Sequence, residues 1–347
     1  MEATLTHAAT TLLTCAFRVL TLLRIAPPVP TPLPDRLAAI PEGSLDIDNG
    51  IYDDDSFDWW SDSCGLHHLN PVRVAYFLQK LDEAAAAAAG GNGGAKGEGE
   101  GEGDRVGRGK VQGEKRRRRS GGGGGGGEKE DDEKEDDEEE RYEVIGLDPS
   151  QRSIDVARSH AAAATATTAA SGPGPLRIRY EVGSVYSLPL ATSSIDAIIC
   201  SDVLEHLYNL PLALSEMARV LKPGGVVTFD TINRTPLSYY LSIWVLQDVL
   251  RAMQADAHDH RMYVTPCEMR TGLVAAGLEP GPQRDLVGIR PSLHWPHVTL
   301  WRLLTGRAGF MSAVLTRFQL TSSLDISYLY CARKPLRQDE GARGPGR

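Results

Sequence analysis

Three residues near the middle of the chain have the types and spacing for chemistry. Asp202, Glu205 and His206 stand at i, i+3 and i+4, so on a helix one face presents two carboxylates and an imidazole. Hard oxygens with one imidazole suit Mg2+ or Mn2+, and zinc less exclusively. The same spacing also fits a helix start, because an acid three residues before Glu is a capping-box pattern; His206 then serves only as a hydrogen-bond partner. Ser201 precedes the trio. Two more candidates lie elsewhere. Asp148 closes the apolar run from Tyr142, at the strand end where nucleotide-binding α/β proteins place an acid on ribose hydroxyls; Asp is also a good helix N-cap. Arg73, on the first turn after Asn70-Pro71, reaches an anionic ligand or is a surface arginine.

The elements that must position these residues alternate. Ile195 to Cys200 is an apolar run of strand length. Asp202 to Leu221 has the 3.6-residue period of a helix with one buried face. Lys222-Pro223-Gly224-Gly225 stops it, and Val226 to Phe229 is a second strand. Upstream, Tyr142 to Asp148 and Leu176 to Tyr180 read as strands around a helix from Gln151 to Ala164. Such alternation predicts a parallel sheet covered by helices, with ligands at the carboxyl ends of the strands. Leu286 to Ile289 and Ile326 to Ala332 are rich in β-formers, as antiparallel closing strands are. Thr265-Pro266-Cys267-Glu268 is a capping box. Val72 to Leu81 is a helix with Val74, Phe77, Leu78 and Leu81 on one face.

Of the 347 residues, 1–50 form a targeting or disordered segment with Arg18, Arg24 and Arg36, and with Glu2 as the sole acid before Asp35. A mitochondrial or plastid presequence fits best, with a secretory signal as rival because Leu12 to Leu23 is apolar but split by Arg18. Residues 51–81 return to globular composition. Residues 82–141 are low complexity and too poor in apolar area to offset ordering entropy, so disorder is expected. Their run of seven glycines, Gly121 to Gly127, lacks the flanking strand and helix of a phosphate-binding loop. The net charge of −9 is matched by Glu128 to Glu140 alone, with eleven acids and two lysines. The remainder is near neutral and offers no global basic field for nucleic acid, although Lys115 to Arg119 is a local basic run. Five scattered cysteines without a CxxC argue against a disulfide framework and a cysteine zinc site. Residues 142–334 carry the rest, with 335–347 as a tail. Within them Leu237 to Met253 reads as a helix that is apolar most of the way round, a lid for lipid or a greasy substrate inside 231–260.

Gly146-Leu147-Asp148, the segment from Asp196 to Leu207 and Leu221-Lys222-Pro223-Gly224-Gly225 together resemble a class I S-adenosylmethionine-dependent methyltransferase. Trp59-Trp60, His68-Leu69-Asn70-Pro71-Val72-Arg73, Thr231-Ile232-Asn233-Arg234, Ala257-His258-Asp259, Tyr263-Val264-Thr265-Pro266 and Leu286-Val287-Gly288-Ile289 narrow the resemblance to ubiquinone-biosynthesis O-methyltransferases. It covers Trp59 to Leu81 and Tyr142 to Arg333. The resemblance implies a Rossmann-like doubly wound α/β sheet, mostly parallel, with antiparallel C-terminal edge strands. It implies that Arg73, Asp148 and Ser201 contact S-adenosylmethionine, and that Asp202, Glu205 and His206 hold Mg2+ or another divalent cation. Asp202 stands where the family usually has Glu. Glu205 and His206 are the implied catalytic residues. The implied reaction is in-line methyl transfer to a phenolic oxygen of a polyprenylated catechol or hydroquinone, with a cation lowering the phenol's pKa or His206 taking its proton. Peripheral membrane association, a ubiquinone-biosynthesis complex and the matrix side of the mitochondrial inner membrane are implied as well. The family's first strand and its DVGCGGG-type loop belong between Leu81 and Tyr142, where only the low-complexity segment stands. Two alternatives follow: a methyltransferase for another small apolar acceptor, and a non-catalytic methyltransferase-like protein.

Overall fold

The computed structural model describes residues 2–33, 35–41, 66–90, 142–168, 176–251, 253, 256–291 and 318–336. Trp59, Trp60, the basic and glycine runs and the acidic tract lie outside them. The elements in chain order are α1 (Glu2–Leu22), α2 (Leu66–Gly90), β1 (Tyr142–Asp148), α3 (Gln151–Thr168), β2 (Leu176–Val182), β3 (Ile195–Cys200), α4 (Leu210–Val220), β4 (Leu221–Ile232), α5 (Pro236–Ser238), α6 (Pro266–Ala275), β5 (Glu279–Pro280), β6 (Val287–Pro291), β7 (Phe318–Thr321) and β8 (Ser327–Arg333). A π-helix, Tyr239–Val249, continues α5.

β3 and β4 are parallel, and β4 then pairs antiparallel with β8, β8 with β6, and β6 with β7. The short β5 also pairs with β8. β1 and β2 form a separate parallel pair. This mixed α/β sheet with antiparallel closing strands agrees with the expected Rossmann-like class. Among the described residues, however, no ladder joins β1 to β3. The division falls where a central strand preceding β1 would stand, and the sequence offers no apolar run for one.

The core lies between the six-stranded sheet and the helices α4 and α6. Leu210, Leu214 and Met217 of α4 pack with Val227, Phe229, Tyr328, Tyr330, Met269 and Leu273. The helix expected from Asp202 is shorter than its periodicity suggests. Asp202 has φ 51°, Leu204–His206 is a single 3-10 turn, and Leu207 is extended. The helix restarts at Leu210, where the Asn209 side chain accepts from Leu212 N at 3.1 Å and Pro211 occupies the first turn. The Lys222-Pro223-Gly224-Gly225 turn is absorbed into β4 as a bulge: Ile195 pairs with Leu221, but Ala197 pairs with Val226. A Cβ on Gly225 would come within 2.9 Å of the Asp196 and Lys222 carbonyl oxygens, so only glycine fits that approach.

Three expectations change. Of the expected inward face of α2, Phe77 is buried, but Val74 and Leu78 are exposed; Arg73, Tyr76 and Lys80 are buried in their place. Charged ends on this face are tolerated because Arg73 meets Asp202 and Asp230, and Lys80 meets Asp285 at 2.8 Å. α2 also continues through the poly-alanine run to Gly90 rather than ending at 81, as the high helix propensity of alanine favours. Finally, the N-terminal segment is tied to the body at Ala26, Arg36 and Ile40. Arg36 is fully buried and donates Nε to Met262 O at 2.8 Å and Nη2 to Leu207 O at 2.5 Å. Ile40 N donates to Tyr208 O at 2.8 Å.

Candidate functional site

The carboxyl ends of β3 and β4 come together under α2. Cys200 is in register with Phe229, which sets Ser201 beside Asp230. From α2, Arg73 donates Nη1 to Asp230 Oδ2 at 3.1 Å and to Asp202, and Nε to Asn70 Oδ1 at 2.8 Å. The positive φ of Asp202 turns its carboxylate toward this guanidinium. Burial alone would lower the Arg73 pKa; Asp202 and Asp230 more than offset it and hold the group above its ordinary value. Burial pushes the Asp230 carboxyl up, Asp202 adds to the rise, and Arg73 opposes it. Ser201 lies close enough to favour the charged form of Asp230. Even so, Ser201 Oγ and Asp230 Oδ1 are buried without a well-formed hydrogen bond.

Glu205 points the other way, into the sheet. Its Oε2 accepts from Thr231 Oγ1 at 2.9 Å, and burial, reinforced by Asp202, pushes its carboxyl up. His206 faces His258 from the end of the lid, with ring centroids 4.9 Å apart. Burial pulls His206 down to about 4 and His258 to about 3, so both imidazoles are neutral at pH 7. The turn that replaces the expected helix therefore sends Asp202, Glu205 and His206 to different partners. Among the described residues no three His, Cys, Asp or Glu side chains group as a metal site. The expected cation does not fit this arrangement. Asp202 is engaged by arginine, which competes for the same oxygens, and Glu205 is held on the sheet by Thr231.

Asp148 is at the carboxyl end of β1, as expected. Its Oδ1 accepts from Ser150 N at 2.8 Å and Ser150 Oγ accepts from Ser153 N at 3.1 Å, so Ser150 opens α3 and Asp148 shapes the turn before it. Asp148 thus sits on the two-stranded sheet, while Arg73, Ser201 and Asp202 meet on the larger one.

Sequence reasoning missed Asp230, although the signal was present: an acid directly after the apolar run of Val226 to Phe229, the same pattern that singled out Asp148. The lid also differs from expectation. Its aromatic side does not face outward, because Tyr239, Tyr240 and Ile243 are buried against the N-terminal segment and Tyr263. Ser242 Oγ lies 2.7 Å from Tyr263 OH and donates to Ser238 O at 2.6 Å, tying the wide π-helical turns to the body.

A family profile described as "Methyltransferase domain" matches residues 122–229, starting within the glycine run and ending in β4. A ubiquinone biosynthesis O-methyltransferase of Sinorhizobium medicae is 27% identical over 195 residues, 56% of this chain and 65% of the relative. The protein of the same name from Rhizobium etli (strain CIAT 652) is 26% identical over 282 residues, 80% of this chain and 91% of the relative. The Sinorhizobium alignment thus spans somewhat less than two thirds of that relative's length. A solved methyltransferase of Methanosarcina mazei, described as SAM-dependent, matches with a TM-score of 0.34 and 16% identity, over 57% of this chain and 85% of that one. The chain thus carries a segment similar to the methyltransferase-domain family, and proteins named ubiquinone biosynthesis O-methyltransferase are among its sequence relatives.

Proposed function

We propose that this protein transfers the methyl group of S-adenosylmethionine to a phenolic oxygen of a polyprenylated catechol or hydroquinone, an intermediate of ubiquinone biosynthesis. The observation that carries the reading is the polar cluster at the ends of β3 and β4 together with the acid ending β1. S-adenosylmethionine supplies the electrophilic methyl on a sulfonium. Residues with suitable chemistry for both parts of this donor stand at strand ends. Asp148 offers a carboxylate to ribose hydroxyls. Ser201 Oγ and Asp230 Oδ1 offer unsatisfied oxygens to the positively charged methionine end. Arg73 holds Asp202 and Asp230 in place, and its charge suits a carboxylate nearby. The neutral His206 and His258 rings form a dry polar wall between the strand ends and the lid, where water exclusion strengthens alignment. No step is routed through a divalent cation. The names of the relatives support the choice of acceptor.

A mitochondrial address on the matrix side is part of this reading. Association with other enzymes of the same lipid pathway belongs to it too. A second reading is carried by the divided sheet: a methyltransferase-like chain that does not turn over. Calorimetry separates the two. The full chain is expected to bind S-adenosylmethionine, and Asp148→Ala to lose tenfold or more in affinity, roughly the worth of a hydrogen-bonded charged group. Methylation of a short-chain catechol then completes the test. Binding that is absent, or unchanged in Asp148→Ala, overturns the proposal.

A further inference from the structure

The lid ends in two histidines that the fold treats differently. Both keep a buried Nδ1 without a hydrogen bond, but His260 is anchored through its other nitrogen. Its Nε2 lies 2.9 Å from Thr235 O, and Tyr239 and Tyr263 meet its ring edge-on at 5.4 and 5.5 Å. The His258 ring has no hydrogen-bond partner among the described residues. It is nevertheless held in one place. His258 N donates to Gln247 Oε1 at 3.1 Å, which ties it to the π-helix. The Asp259 side chain accepts from Arg261 N at 2.8 Å and closes the turn that follows. Tyr263 stands edge-on to the imidazole at 6.2 Å.

The place so fixed borders the polar cluster. His258 faces His206 with ring centroids 4.9 Å apart, and Asp202, the partner of Arg73, is close enough to act on His206. The lid thus brings one imidazole to the strand ends, where Ser201 Oγ and Asp230 Oδ1 also lack hydrogen bonds. A buried polar atom left unpaired costs about 1–3 kcal/mol. A rigidly placed ring that leaves this bond unmade, beside a cluster that does the same, points to a ligand that makes it. The chemistry fits the acceptor rather than the donor. An imidazole nitrogen lies in the ring plane and is a donor in one tautomer and an acceptor in the other; a phenolic hydroxyl pairs with either. A sulfonium methyl offers it no such partner.

We propose that His258 is the catalytic residue supplied by the lid: its Nδ1 hydrogen-bonds the phenolic hydroxyl of the acceptor and aligns that oxygen with the methyl group. The inference rests on the proposed methyl transfer to a catechol. There the oxygen lone pair forms the O–C bond, the C–S bond breaks with its pair left on sulfur, and the hydroxyl proton is released to water; His258 fixes the direction of attack. The test is steady-state methylation of a short-chain catechol by the full chain, with calorimetry for S-adenosylmethionine and circular dichroism on each variant. His258→Leu should keep its donor affinity and lose about tenfold in kcat, roughly the worth of one hydrogen bond. Two amides separate the ring nitrogens, because Asn places its polar atoms where Nδ1 stands and Gln reaches toward Nε2. His258→Asn should recover most of the loss and His258→Gln should not, and this pair decides the matter even where the leucine variant fails to fold. Wild-type kcat in His258→Leu overturns the inference. So do equal rates in His258→Asn and His258→Gln, or rescue by His258→Gln alone. Each of these results leaves the proposed function standing. A wild type that methylates no catechol overturns the proposed acceptor and this inference together.

Discussion

Replacing Arg73 with Met removes the one cation that Asp202 and Asp230 share. The Asp202 side chain is 36% exposed and recovers water, whereas that of Asp230 is 7% exposed. The cost therefore falls on Asp230. Breaking a buried pair from one side costs about 3–5 kcal/mol when the remaining charge persists. Asp230 has an escape: burial and Asp202 already push its pKa up with Arg73 present, and without Arg73 it rises further. The folded pKa then lies well above the unfolded value of about 3.9. The folded state of the variant binds one proton more than the unfolded state throughout that window, so stability is present at acid pH and falls as pH rises, by about 1.4 kcal/mol per unit. Above the folded pKa the full penalty is reached. Urea unfolding of wild type and Arg73→Met at pH 5, 6.5 and 8 measures this. Wild-type Asp230 is itself pushed up to about 7, so the two proteins diverge only above it: the expected loss is small at pH 5 and 6.5 and larger by about 1.4 kcal/mol at pH 8. A loss that is constant across this range, or largest at pH 5, refutes the account of a shared buried guanidinium.

Two further outcomes follow from the N-terminal segment. Arg36→Met removes donors to the Met262, Leu204 and Leu207 carbonyls and should destabilise by about 2–4 kcal/mol, from hydrogen bonds made by a charged donor in a fully buried site; thermal unfolding reads it, and a change under 1 kcal/mol contradicts the buried strap. Phe17→Ala leaves the global core untouched but removes the ring from Tyr240 and Trp244. Hydrogen exchange should accelerate over Tyr239–Val249 and stay unchanged in β4 and β8, and uniform behaviour across the chain argues against α1 as the lid's cover.

Much of the architecture was legible because it rests on local signals. Strands β1, β3, β4 and β8 are short runs of β-formers, and the Thr265–Glu268 capping box closes as written, with Thr265 N donating to Glu268 Oε2 at 2.9 Å. Asp148 and Ser201 stand at strand ends because a strand ends where its apolar run does. The helix expected from Asp202 failed because periodicity counts apolar residues and does not see backbone dihedrals. Leu207 is buried as the pattern predicts, but as an extended residue after a turn that also buries Leu204. That difference alone separates Asp202, Glu205 and His206.

The amino-acid order by itself determined the αβ alternation, the strand-end acids, the low-complexity break before β1 and the resemblance to methyltransferases. These depend on side-chain type and spacing along one element. Tertiary structure alone decided the partnerships across elements. It joined Arg73 to Asp230 across 157 positions, sank Arg36 into the body, and laid the N-terminal helix over the lid. Burial of a charge is settled by which groups surround it in space, and a linear pattern carries no record of neighbours so far apart.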